Sequence, residues 1–162
     1  MKSLKNLNVS SFETTNVTNM QDLFFDMESI VSLNLNNFDT RNVINMKNIF
    51  SGMKSLTSLD ISNFDISKIY QLDSMFNGVE SIVELDLSSF DTKNIISFSH
   101  MFKDTGSLKK LNIKNFNTSN ATNMDFMFSG SGLESLSLSN FNTGKVVTMK
   151  EMFSNMQNLK IG

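Results

Sequence analysis

The chain has 162 residues, with 14 basic and 16 acidic side chains, a formal net charge of −2, and neither cysteine, proline nor tryptophan. This length suits one domain, and the lack of cysteine excludes a disulfide framework, a thiolate metal site and a cysteine nucleophile. The basic residues are scattered, which argues against a nucleic-acid groove. No apolar run approaches the roughly 18 residues of a membrane span, and no signal peptide is recognised at the start, so we expect a soluble chain.

The sequence repeats itself with a fixed period. Segments similar to 33–38 occur six times in all, and their final phenylalanines stand at positions 12, 38, 64, 90, 116 and 141, so that the spacing is 26 four times and then 25. A period of this length is typical of stacked repeats, in which one unit cannot bury its apolar face alone. We therefore predict a single domain over residues 1–162 with six repeats and no clear caps, and interpret the chain as a fragment of a longer array.

Each repeat is predicted to open with a short strand. Leu33 and Leu35 alternate with polar residues, and this period of two indicates a strand with one buried face. A polar turn follows, and its first position is an acidic residue or asparagine in all six repeats. This column predicts a repeated Asx turn, in which the side chain bonds a nearby backbone N–H. Its members are Glu13, Asp39, Asp65, Asp91, Asn117 and Asn142.

A short helix is predicted after the turn. Apolar residues return at Val43, Met46, Ile49 and Phe50, with offsets that fit one helical face, and these columns are apolar in every repeat. In each repeat, the residue two positions after the phenylalanine that ends this apolar face is of a type that tolerates the left-handed conformation of a helix C-cap. These residues are Asp26, Gly52, Gly78, Asp104, Gly130 and Asn155.

Strands joined by helical crossovers run parallel and wind right-handed. The predicted fold is therefore an α/β, right-handed leucine-rich-repeat solenoid of six 25- to 26-residue repeats. It has one parallel β-sheet, with short helices on the opposite face. Residues of the same column in adjacent repeats are expected to touch and to share one core.

The strand signature, the Phe-Asp-Thr turn and the Met-x-x-Met-Phe segment recur in order, and residues 33–52 show the whole unit. This unit resembles the repeat of BspA-like leucine-rich-repeat surface proteins, of the kind found in mycoplasma lipoproteins and Gram-positive bacteria. The resemblance covers all six repeats. It implies a cell-surface or secreted bacterial protein associated with adhesion, and no catalytic residues. A cytoplasmic location is the alternative, because no export signal is recognised.

The side chains between the buried leucines should point outward and form polar columns across the predicted sheet. The central column holds Asp60 and Asp86, with Glu84 beside it and Lys110 and Lys114 one repeat later. We take eight of these residues as candidates for partner binding. They are Asn34, Asp60, Glu84, Asp86, Lys110, Asn112, Lys114 and Ser137.

Two interpretations fit the acidic residues of this surface. They are either a site for a cation or a basic peptide, or solvated aspartates for which the lysines are local counterions. We favour the second interpretation and predict no metal site and no cofactor. His100 lies in a polar column and is expected to be exposed, while Phe25 and Phe126 are aromatic exceptions that could anchor a contact.

The leading functional prediction is a non-catalytic module that binds a protein or glycan, such as a host or matrix component, through the polar sheet face. The alternative is an assembly scaffold, whose uncapped repeats stack end to end or on a larger complex. No nucleic-acid partner and no membrane insertion are expected. An enzyme is not predicted, because no column combines a nucleophile with a base.

Overall fold

The computed structural model describes residues 4–160. It contains strands β1 (Ser32–Leu33), β2 (Ser58–Leu59), β3 (Glu84–Asp86) and β4 (Lys110–Asn112). Strand β1 pairs with β2 and β3 with β4, and in both pairs each residue lies opposite its equivalent in the next repeat. The pairing is parallel, as predicted from the repeat. We number the repeats 1 to 6 by the six phenylalanines of the period.

The predicted fold class is wrong. No residue between 4 and 160 is helical, and the strands form two separate two-stranded sheets instead of one sheet with helices opposite. The α/β leucine-rich-repeat solenoid is therefore not the architecture of this chain. Successive turns and short extended segments make up each repeat, and they bond to the equivalent segments of the next repeat.

Left-handed residues explain why the predicted helices do not form. Each predicted helical segment contains two residues with positive φ, four positions apart, such as Asn48 (φ 55°) and Gly52 (φ 74°) in repeat 2. An α-helix needs a negative φ of about −63° at every residue, so the first of the two ends it. The left-handed column that contains Gly52 is confirmed, but its residues close turns and cap no helix.

Backbone hydrogen bonds in this segment alternate between two directions. In repeat 1, every second N–H group donates to repeat 2 over 2.9 to 3.1 Å. Of the N–H groups between them, those of Leu23 and Phe25 donate three residues back within the repeat, and that of Gln21 donates to Asn19 Oδ1. Where the N–H of one residue bonds the carbonyl three residues earlier, and the residue just before the donor is left-handed, the four residues form a type II turn. The donors to the next repeat are Met20, Asp22, Phe24 and Asp26, and the acceptors are the carbonyls of Asn45, Lys47, Ile49 and Ser51.

The apolar core passes through all six repeats. The prediction that residues of the same column touch is confirmed by a phenylalanine stack, whose neighbouring ring centroids are 5.6 to 6.0 Å apart. Stacked aromatic rings add to the stabilisation that burial alone provides. The stack consists of Phe24, Phe50, Phe76, Phe102, Phe128 and Phe153.

Polar side chains also tie each repeat to the next. The buried hydroxyl of Thr40 donates to the carbonyl of Asp65 over 3.0 Å and accepts the N–H of the same residue over 2.7 Å. The side-chain amide of Asn63 donates to the carbonyls of Leu35 and Phe38 in the preceding repeat. Much of the asparagine and threonine content thus satisfies buried or half-buried backbone groups, which are costly to leave unpaired.

Candidate functional site

The predicted binding columns line an open groove of about 1200 Å³, which repeats 2 to 6 form together. Seven of the eight predicted residues contribute to its lining, and Lys114 does not. The seven are Asn34, Asp60, Glu84, Asp86, Lys110, Asn112 and Ser137.

Strand β3 shows why these side chains face the groove. Leu85 is buried, whereas Glu84 and Asp86 on either side of it are exposed. Neighbouring residues of a strand point to opposite faces, so burial of the leucine fixes the direction of the two acidic residues. Pairing with β4 then sets Glu84 opposite Lys110 and Asp86 opposite Asn112.

The central column of the groove also has a structural role, which the sequence analysis missed. Asp60 Oδ1 accepts the N–H of Ser62 over 3.0 Å and its hydroxyl over 2.8 Å, and Asp86 Oδ1 accepts the N–H of Ser88 over 2.8 Å. These are Asx turns. In the column of Asp39, the side chain likewise accepts the N–H two residues later, which confirms five of the six predicted Asx turns; among the described residues Glu13 shows no such bond. The sequence signal for these turns is an aspartate or asparagine of the central column that stands two positions before a serine or asparagine.

Hydrogen bonds keep the central carboxyl groups ionised. The N–H of Ser62, followed by its hydroxyl, lowers the pKa of Asp60. The hydroxyl and N–H of Ser88 lower the pKa of Asp86, with smaller contributions from Asn112 and Lys114. In each case the donors stabilise the charged form of the carboxyl group. Lys114 thus acts on the groove from outside its lining.

Lysines form ion pairs with Glu84 in the groove and with Glu134 outside its lining, but not with the two aspartates of the central column. Lys110 Nζ lies 2.5 Å from Glu84 Oε1, and Glu134 is paired with both Lys109 and Lys160, at 3.4 and 3.0 Å. Neither Asp60 nor Asp86 forms an ion pair with any residue of the described range. Between residues 4 and 160, no three acidic or histidine side chains come together as a group that could hold a metal ion.

The structure also brings together a serine and a histidine that the sequence analysis did not connect. Ser99 Oγ lies 2.7 Å from His100 Nδ1, and Asp73 accepts the N–H of Ser99. His100 is half-buried and not exposed as expected, because its ring stacks on Phe126 with centroids 4.8 Å apart. Burial lowers the pKa of His100, and the charge of Lys103 lowers it further. This pair does not line the groove.

The two aromatic exceptions differ in their surroundings. Phe25 is exposed, as a contact anchor would need to be. Phe126 is half-buried and left-handed, and its ring contacts both His100 and the ammonium group of Lys150, which is 5.5 Å from the ring centroid. The chain itself therefore occupies much of the surface of the Phe126 ring.

Within residues 4–160, no helix has the length and apolar character needed to cross a bilayer. Residues 1–110, and again residues 46–161, match the family model described as "Mycoplasma protein of unknown function, DUF285". No curated protein matches the chain. The two overlapping matches extend over the whole run of repeats, and the chain therefore belongs to this Mycoplasma family of unknown function.

Proposed function

We propose that the chain is a non-catalytic binding module of the BspA-like bacterial surface type, which binds a protein or glycan through the groove. The groove itself is the observation that supports this most, because it joins five repeats into one open surface of about 1200 Å³. Family membership and the resemblance of the repeats to adhesion proteins support a location on the cell surface or outside the cell.

The lining of the groove indicates how a partner would be held. It consists of serine, threonine, asparagine and charged side chains between the edges of apolar aliphatic residues, and it includes no aromatic residue. Affinity would then come from many hydrogen bonds along an extended ligand and not from one apolar anchor. The carboxyl groups of Asp60 and Asp86, which form no ion pair within residues 4–160, favour a ligand with a cationic group at the centre of the groove.

The double substitution Asp60→Asn and Asp86→Asn tests this proposal without disturbing the Asx turns. Asparagine keeps the one oxygen that accepts the turn bonds, and it replaces the second oxygen and the negative charge with a neutral NH2 group. The chain is titrated against immobilised extracellular-matrix proteins and a glycan array. We expect at least one specific ligand, and a loss of affinity of about tenfold in the double variant, equivalent to about 1.4 kcal/mol.

Asp91→Asn is the matched control, since Asp91 is an exposed Asx-turn residue paired with Lys93 outside the groove. It should bind like the unaltered chain. Absence of binding across the whole panel, or a ligand that the double variant binds with unchanged affinity, would overturn the proposal.

A further inference from the structure

The middle repeats carry a row of exposed apolar side chains outside the groove. Ile44, Tyr70 and Ile96 occupy the same position in repeats 2, 3 and 4, and they are 60%, 59% and 40% exposed. Among the described residues, no other position carries exposed large apolar side chains in three consecutive repeats. None of the three lines the groove. We call this row the ridge.

The backbone fixes the direction of the ridge side chains. Each ridge residue directly follows a fully buried residue of the core, so its own side chain points outward. The N–H of Ile96 donates to the carbonyl of Tyr70 over 2.8 Å, and the N–H of Ile44 donates in the same way to the carbonyl of Thr18 in repeat 1. The ridge therefore runs along the row of repeats with one side chain per repeat. A contiguous exposed apolar row of this kind is typical of an interaction surface.

A positive charge lies on one side of the ridge. Lys68 precedes Tyr70 by two residues, and its Nζ donates to Asn42 Oδ1 over 2.9 Å. Its charge also helps to lower the pKa of Asp65. Within residues 4–160, however, Lys68 forms no ion pair.

A negative charge lies on the other side, because the chain crosses the ridge at Tyr70 and reaches Asp73 three residues later. The hydroxyl of Ser97 and the N–H of Ser99 both bond Asp73 Oδ1. In the described part of the chain, Asp73 has no ion pair. Its second oxygen is therefore the one that a cationic group of a partner would reach. The two flanks of the ridge are thus opposite in charge.

We propose that two copies of this chain associate ridge against ridge, around a twofold axis that runs along the ridge. Each ridge residue then meets its own equivalent, as in any isologous contact, and Lys68 of each copy faces Asp73 of the other. A twofold axis across the ridge would instead set Lys68 against Lys68 and Asp73 against Asp73. The charges therefore select the first axis. The occupant is a second copy because it has the same spacing of apolar side chains and places an opposite charge beside each flank.

Sedimentation velocity over a wide concentration range tests the association. We expect a reversible dimer of the unaltered chain, and a dissociation constant at least about tenfold higher for Tyr70→Lys, which sets two ammonium groups together at the centre of the contact. Val31→Lys is the matched control, since Val31 is 43% exposed but lies outside the ridge. It should dimerise like the unaltered chain. A monomer at every concentration, or equal dimerisation of the Tyr70→Lys variant, would overturn the proposal.

Charge variants test how the two flanks face each other. Lys68→Glu sets a carboxylate against Asp73 of the second copy, so the dimer should weaken severalfold, and most at low salt. Lys47→Glu is the control, because Lys47 lies on the same flank as Asp73 one repeat earlier and would face the neutral Asn42 of the second copy. It should not weaken the dimer. Equal weakening by the two substitutions would contradict the proposed axis.

Chemical linking identifies the residues that meet. The chain has no cysteine, so a single introduced cysteine reports on one position. Ile44→Cys should link to itself through a short bismaleimide, because Ile44 meets Ile44 around the proposed axis. Val31→Cys is the control and should stay unlinked. With the axis across the ridge, Ile44 would meet Ile96 instead. A dimer in which the Ile44→Cys chain links only to an Ile96→Cys chain would therefore overturn the proposed axis.

Discussion

Single residues with positive φ determine the path of each repeat. Such a conformation costs an L-residue roughly 1–2 kcal/mol, and glycine, asparagine and aspartate bear it best. The column that contains Gly52 holds only these three residue types, whereas the column that contains Asn48 also includes His100 and Phe126. Phe126 is the least suited of them. Its stack with His100 and its contact with Lys150 supply stabilisation that offsets the strain.

Gly52 and Gly78 test the cost of this conformation. Both have positive φ, but a Cβ on Gly52 would lie 2.0 Å from Asp26 Oδ1, whereas a Cβ on Gly78 would have no neighbour closer than 3.7 Å. We expect Gly78→Ala to lower the free energy of unfolding by about 1 kcal/mol and Gly52→Ala by more, as measured by urea denaturation. Gly78→Asn is the control and should cost less than Gly78→Ala. Equal losses for the two alanine variants would contradict the steric argument.

The carboxyl groups of the Asx turns make the stability of the folded chain depend on pH in the acidic range. Bonds from the Arg41 side chain lower the pKa of Asp39 to about 2, and bonds from Ser67 lower the pKa of Asp65. A carboxyl group whose pKa is lower in the folded chain stabilises it above the unfolded value of about 3.9. That contribution is lost as the pH falls towards the folded value, so we expect stability to decrease between about pH 4 and about pH 2.

Asp39→Asn isolates one of these groups, because it keeps the turn acceptor and removes the ion pair with Arg41. Urea denaturation at about pH 6 should show the variant to be less stable than the unaltered chain. The difference should shrink as the pH falls to about 2, because Asp39 is then protonated in the unfolded chain and increasingly in the folded one. A difference that stays constant across this range would exclude the proposed role of Asp39.

At the scale of elements, the segment that was predicted to be a helix is a series of turns, and this turn segment supplies much of the apolar core. Its apolar residues point inward although the backbone is not helical, because alternate N–H groups bond the next repeat and leave the side chains in register with it. An isolated segment of this kind would have half of its donors unpaired. Its stability therefore depends on the neighbouring repeats, and residues in the middle of the stack should matter most.

Phe76 and Phe153 compare the middle of the stack with its end. Phe76 is fully buried with rings at 5.7 and 5.8 Å on its two sides, whereas Phe153 is 47% exposed and has one ring neighbour at 6.0 Å. Phe76→Ala should lower the free energy of unfolding by about 3–5 kcal/mol, and Phe153→Ala by about 1 kcal/mol. Urea denaturation measures both. Similar losses at the two sites would mean that the column is not a shared core.

At the scale of the whole molecule, the chain is a row of equivalent units that contact only their neighbours along the row. Removing residues 66–91 deletes one period and joins Asp65 to Thr92, which stands in the column of Ile66. Because every remaining column stays in register, we expect a folded protein with the same circular dichroism per residue and a lower stability. Circular dichroism and urea denaturation are the measurements.

Removal of residues 66–78 is the control, since it deletes half a period and sets apolar columns against polar ones. This variant should fail to unfold cooperatively. A half-period deletion that folds as well as the full-period deletion would show that register between repeats does not determine the fold.

The sequence by itself determined the period, the apolar columns, the parallel direction and the left-handed column of Gly52, and seven of its eight predicted binding residues are among those that line the groove. All of these follow from residue type and spacing, and the same pattern is present in all six repeats. Only the tertiary structure decided that the segment after the turn is not helical. The spacing of Val43, Met46, Ile49 and Phe50 suits one face of a helix and a series of turns equally well. The difference lies in where alternate N–H groups find acceptors, and those acceptors belong to the neighbouring repeat.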